Sequence, residues 1–430
     1  MKSLILTIFL LTAPLCLVHA HGGDDAKTHS RILTCTNGRL LYDDDNVEGE
    51  FDEKSTDNKS FTVTKGGTLD VAINVGTIRV ETWDKNQVVV HVTSDEEGEE
   101  DNEDTGIRIR QKENTIRVTT SQRHAQWGEV NIDVSIPVQF NVQLATSAGD
   151  IAIEGKVIGT VEVQTSGGNI STGPIEGRAE LETSGGDITT GDIEGDLTLN
   201  TSGGNIHVGV VTGTAEVQTL GGDIVIDRVD KALAAATSGG NVHVGDVGSE
   251  ASVSTSGGDI ILDHVGGNAS LSTAGGNVVL TSAHGSVSAS TAGGDIRADS
   301  VVGSINARTS SGNIDVMLVP VGLGKSKLST SVGDLRLFIP ENARASINAR
   351  NRRQYWGSWG SYDEDVIISD YEEDSYDQDG RGKEVRAVYT LNGGGQTITL
   401  EASMGTISIL KPDAHQHDFP RSKHKKKSKR

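Results

Sequence analysis

Residues 182–208 read ETSGGDITTGDIEGDLTLNTSGGNIHV, and TSGG occurs twice in them, followed once by Asp187 and eighteen residues later by Asn205. Aligning the chain on that residue gives Asp150, Asn169, Asp187, Asn205, Asp223, Asn241, Asp259, Asn277, Asp295, Asn313 and Asp334. After a first step of 19 the spacing is 18 eight times running, then 21, and acid and amide alternate throughout. A fixed period this short marks a solenoid.

In the unit 179–196, Ala179, Leu181 and Thr183 alternate with Glu180 and Glu182, the periodicity of a strand. SGG then predicts a turn, read here as one that uses glycine's tolerance of positive φ. Ile188 and Thr190 resume the alternation, Ile193 adds an inward position, and Gly195 turns the chain again. One unit cannot bury its apolar strip alone, so the pattern predicts an all-β, single-chain parallel β-helix in which each coil covers the next. Coils of about 18 residues fit better than coils of 36: the longer coil would stack Asp227, Asp263 and Asp299 at ~4.8 Å, the shorter one at ~9.6 Å with a neutral residue between. The Thr column, from Thr146 to Thr330, shares the inward parity, which fits hydroxyls capping the turn backbone rather than an outward ice-binding array.

Composition agrees with a narrow core. Glycine is abundant (53 residues), proline scarce (7) and aromatics only 4 % of the chain. The net charge of −22 argues against a nucleic-acid partner for the body, although the last ten residues, RSKHKKKSKR, hold seven Lys or Arg. That tail is read as a solubilising end or a contact for an anionic envelope surface. MKSLILTIFLLTAPLCLVHA reads as a secretory signal peptide cleaved after Ala20, too short an apolar run for a stable span. The mature chain is therefore expected to be exported, to the periplasm, the cell surface or the medium, with Cys35 as its single cysteine.

The expected organisation is a signal peptide (1–20), an acidic linker (21–60), an N-terminal β cap (61–145), solenoid repeats (146–350), an acidic aromatic insertion (351–384), closing strands (385–411) and a basic tail (412–430). The opening TLDVAINVGTIRV, a strand ending in Ile136-Pro137, the serial TSGGDI and TSGGNI units and the closing Gly405-Thr406-Ile407-Ser408-Ile409 resemble the bacterial putative-adhesin family. The resemblance covers about residues 60–411. It implies an envelope β-helix domain and carries over no catalytic residues.

Several groups invite a functional reading. The ladder Asp187, Asn205, Asp223, Asn241, Asp259, Asn277, Asp295 and Asn313 could in principle bind calcium. But every second site is a neutral amide, and Asp or Asn at a turn exit ordinarily bonds backbone amides. The pairs Asp223/Asp227, Asp259/Asp263 and Asp295/Asp299 have the residue type of a glycosidase acid and base. They recur evenly, however, whereas a catalytic site breaks a repeat. His207 and His243 sit ~9.6 Å apart, too far to share a metal. In the insertion, Tyr355, Trp356, Trp359 and Tyr362 with Arg352 and Arg353 form the candidate binding surface, suited to a glycan or protein. The sequence thus points to a non-catalytic exported solenoid acting as an adhesin-like or scaffolding module without a cofactor. The alternatives are a polysaccharide lyase or hydrolase and a calcium-stabilised structural repeat.

Overall fold

The computed structural model describes residues 58–94, 107–120, 130–352, 366–379 and 384–412, and the backbone of 34–36 and 39–41. Every regular element among them is a β-strand. Through the repeats, residues eighteen apart pair in parallel register: Leu181 with Leu199, Ile188 with Ile206, Ile224 with Val242, Ile260 with Val278. Each unit contributes one strand to a first stack, as Ala179–Glu182, and one or two short strands to a second, as Ile188–Thr190 and Ile193–Glu194.

The columns facing inward are apolar and sealed. Leu181, Ile188, Ile193, Leu199, Val217, Ile224 and their equivalents are buried in one continuous core. Each such side chain contributes about 1.5–3 kcal/mol through its burial. In the column of Ile226, Val244 and Leu262, the early units carry Thr172 and Thr190 instead, whose buried hydroxyls have no hydrogen-bond partner. The inward Thr column is buried from Thr146 to Thr330.

The glycines of the turn act differently from the sequence expectation. Neither Gly185 nor Gly186, nor Gly195, lies in the left-handed region. What Gly186 supplies is room: a Cβ there would stand 2.0 Å from the carbonyl oxygen of Gly168 in the preceding unit, and at Gly204 1.8 Å from that of Gly186. The turns stack so closely that a methyl group has no place between them. In this column positive φ appears at the first and last units, at Gly149, Gly333 and Gly405, whereas in the column of Gly195 it appears at Gly159, Gly177 and Gly303.

Both ends are built out of chain order. Gly67–Val75 lies between Thr115–Thr120 and Phe140–Ala148, and Gln396–Met404 between Lys325–Val332 and Ala345–Arg352. The closing strands expected at 385–411 therefore include one threaded inside the stack rather than laid on its end. Antiparallel strands finish the edges: Asn58–Thr62 beside Gln87–Ser94, Ile107–Lys112 beside Thr115–Thr120, and Ser375–Gln378 beside Glu384–Leu391. Part of the 351–384 insertion is thus sheet. Ile367–Ser369 pairs with Ile407–Ile409, and Ser375–Gln378 forms the outermost strand of the first stack.

Candidate binding surface

The Asp/Asn column is the most regular polar feature of the molecule. Each side-chain Oδ1 accepts the backbone N–H of the equivalent residue in the next unit. Where Asp accepts, the bonds are 2.6–2.8 Å (Asp187 to Asn205 N 2.6, Asp223 to Asn241 N 2.6, Asp334 to Thr406 N 2.8). Where Asn accepts, they are 2.8–2.9 Å (Asn169 to Asp187 N 2.8, Asn205 to Asp223 N 2.9). The shorter bonds are the charge-assisted ones. The amide is also a donor: Nδ2 of Asn205, Asn241 and Asn277 reaches the same carboxylate oxygen at 3.1–3.3 Å. Alternation therefore gives Asp187, Asp223 and Asp259 two N–H donors each and keeps successive carboxylates two strands apart.

The Thr column ties the same turns from inside. Thr183 Oγ1 donates to Gly168 O at 2.9 Å and accepts from Gly186 N at 3.3 Å, and the pair of bonds repeats through Thr291. These hydroxyls are committed to backbone and removed from the surface.

The outward columns differ along the rod. On the second stack, Thr189, His207, Val225, His243, Ile261, Val279 and Arg297 stand in one column. His207 and His243 are separated by Val225, and His243 in turn separates Val225 from the apolar pair Ile261 and Val279. Of the paired acids, Asp299 is held by Arg297 through two bonds, 2.6 and 3.2 Å. Among the described residues no group of three His, Cys, Asp or Glu side chains could hold a metal ion, and no helix is long and apolar enough to cross a membrane.

On the first stack the small residues Ala232, Ala234, Ser252, Ser270 and Ser288 leave a trough of about 780 Å³ along the turn into the strands. Charge gathers toward the N-terminal end of it, in Arg178, Asp196 and Glu216, with Glu250 midway along. Thr214 donates to Asp196 from its backbone N at 2.8 Å and its hydroxyl at 2.9 Å, which holds that carboxyl below the usual range. Just beyond, Glu162 faces Glu180 across adjoining strands and Glu182 lies two residues on. Partial burial, reinforced by the Glu180 charge, pushes the Glu162 and Glu182 carboxyls up. No motif announces this trough. Its only sequence signal is the run of Ala and Ser three residues before Thr237, Thr255, Thr273 and Thr291 and at the preceding turn.

Of the aromatic candidate surface, Tyr355, Trp356, Trp359, Tyr362 and Arg353 lie outside the described residues, and Arg352 is the exposed last residue of the strand Ala345–Arg352. The neighbouring aromatics that are described divide in role. Tyr371 donates to Ile339 O at 2.5 Å, lies 5.4 Å below Lys411 Nζ, and has its hydroxyl pushed up to about 12 chiefly by burial. Tyr376 is exposed on the edge strand. Beside it Glu384 is clamped between Arg350 and Arg386, whose hydrogen bonds hold its carboxyl down at about 2.

A family model described as Toastrack DUF4097 matches residues 195–358, the heart of the repeat region. Most of the TSGGDI and TSGGNI units on which the resemblance to the putative-adhesin family rests fall within that match. A putative adhesin from Bacteroides fragilis is similar at 15 % identity and a TM-score of 0.32, over 60 % of this chain and 96 % of that one. A putative adhesin from Parabacteroides distasonis is similar at 15 % identity and 0.24, over 66 % and 93 %. A putative lipid binding protein from the same organism is similar at 15 % identity and 0.26, over 58 % and 96 %. No curated protein matches the chain.

Proposed function

We propose that this chain is an exported, non-catalytic β-helix of about 18 residues per coil, closed by strands at both ends, that serves as an adhesin-like or scaffolding module of a bacterial envelope. The observation that carries the reading is the trough: its floor repeats small side chains from Ala234 to Ser288, with a hydroxyl in each unit from Ser252 on. A surface that offers equivalent groups every ~4.8 Å suits a repetitive or extended partner, such as an envelope glycan or a polypeptide. Catalysis asks for the reverse, one position unlike the rest where acid, base and substrate are held together. The acids of the ladder are occupied with backbone N–H groups, and the paired acids recur in every second unit.

The aromatic segment Tyr355–Tyr362, with Arg352 and Arg353, is the second contact surface in this reading, since exposed rings suit sugar faces and protein anchors. Export follows from the leading 20 residues, and no cofactor is required. The test is retention of the chain on a panel of envelope glycans and extracts, comparing wild type, Trp356→Ala with Trp359→Ala, and Ser252→Trp with Ser270→Trp. Retention lost in either double variant, with an unchanged melting curve, supports the reading; retention equal in all three, or none at all, sinks it.

A further inference from the structure

The trough is complementary to one segment of this same chain. Its acids begin midway along at Glu250 and continue through Glu216 and Asp196 with a single Arg178, and Glu162, Glu180 and Glu182 carry the acidic run onto the next strands. The end of the trough nearer the C-terminal strands is neutral, lined by Asn268, Ser270, Ser286 and Ser288. Glu162 is exposed and Glu182 partly buried, both beside the Glu180 charge, an arrangement that a cation laid over them would relieve.

The chain leads to the head of this trough. Ile407–Leu410 lies on the second stack, and Lys411 follows it with Nζ 2.8 Å from Glu341. Glu341 belongs to the turn that crosses from the second stack, at Leu335–Phe338, to the first, at Ala345–Arg352. The trough opens along the same crossing, where residues 195–197, 213–215 and 231–233 turn into their strands. Lys411 therefore leaves the fold on the edge where the trough lies.

Beyond Pro412 the sequence runs DAHQHDFP and then RSKHKKKSKR, outside the described residues. At about 3.3 Å per extended residue, Arg421 reaches roughly 30 Å from Pro412 and Arg430 roughly 60 Å. At about 4.8 Å per strand, Ser288 lies ~19 Å down the stack from Ala345–Arg352, Glu216 ~38 Å and Glu162 ~53 Å. The spacer, which carries Asp413 and Asp418 and no Lys or Arg, thus spans the neutral floor, and the seven cations fall on the stretch that holds the acids.

We propose that residues 413–430 lie along the first-stack trough of their own chain, with the basic segment 421–430 on Glu216, Asp196, Glu182, Glu180 and Glu162. The contact is electrostatic, so it weakens with salt. The occupancy stands apart from whether a foreign partner uses the trough. Its test is zero-length carbodiimide coupling of lysine amines to carboxylates in the full chain, on an equal mixture of isotopically heavy and light protein, read by mass spectrometry. The expected products join Lys423, Lys425, Lys426, Lys427 or Lys429 to Glu162, Glu180, Glu182 or Glu216 within chains of one isotope. They should fall at least tenfold in about 0.5 M salt. Lys425→Glu, Lys426→Glu and Lys427→Glu together should remove them equally without moving the melting curve. Heavy–light links at the statistical half would overturn the proposal in favour of a second copy. Links confined to acids away from the trough would overturn it too, as would no trough links combined with tail-dependent binding to anionic phospholipid vesicles.

Discussion

At the scale of single residues, the turn is specified by three interlocked demands rather than by glycine's flexibility. Gly186 has no room for a Cβ, Thr183 bonds two backbone groups, and Asp187 and Asn169 carry the outer ladder. Within one SGG the two glycines should behave differently. Gly185→Ala, whose Cβ meets nothing nearer than 3.6 Å, is expected to leave the melting temperature nearly unchanged. Gly186→Ala is expected to cost about 3 kcal/mol, because backbone must move to admit the methyl group. Equal effects in the two variants would refute the stacking account. The ladder makes a second pair. Asp223→Asn keeps the acceptor and is expected to be close to neutral. Asn241→Asp sets three carboxylates in adjoining units and is expected to cost about 1 kcal/mol at low ionic strength, recovered on adding salt. The alternation and its electrostatic reason were legible in the sequence because period and charge are both printed there. The role of Gly186 was not, since close approach between stacked turns depends on a register that no single unit contains.

At the scale of elements, the core columns and the end strands set the stability. Thr190 stacks between Thr172 and Val208 with a buried hydroxyl that bonds to nothing. Thr190→Val is expected to raise stability by about 1 kcal/mol in a thermal or denaturant melt, since the unsatisfied group is removed and the shape kept; a loss of stability would mean that the hydroxyl has a partner. At the C-terminal edge, Glu384 lies between Arg350 and Arg386, and its folded-state carboxyl is held near 2 against an ordinary 4.5. A carboxyl depressed by folding contributes stability that is present above its ordinary value and lost as pH falls toward the folded one. Hydrogen exchange should therefore show Glu384–Leu391 and Ser375–Gln378 losing protection between about pH 4.5 and 2. Glu384→Gln should abolish that dependence. Glu162 and Glu182 run in the opposite sense: raised by folding, they relieve strain on protonation, so the trough end should hold as the edge frays. Simultaneous loss at both places would contradict this division. The strands themselves were readable from alternation, but the threading of Gln396–Met404 inside Ala345–Arg352 was not, because both segments have the same pattern and either could lie outermost.

At the scale of the whole molecule, a rod of stacked turns has long faces and little interior, so what it does must be sought on those faces. The ladder oxygens already accept N–H bonds, and on the reading proposed above no metal holds the turns. The melting midpoint is accordingly expected to be the same with calcium and with EDTA, and a calcium-dependent rise would restore the structural-calcium reading. The trough went unseen in the sequence because Ala and Ser look like filler one unit at a time; only stacked do they make a groove beside a line of acids. The most direct measurement of the central claim is incubation of the full chain with acidic and neutral envelope glycans, with both retention and product formation followed. Retention without product, lost in Ser252→Trp with Ser270→Trp, is the expected result. Steady product formation that disappears on changing Asp259→Asn or Asp263→Asn alone would contradict it and make this solenoid an enzyme.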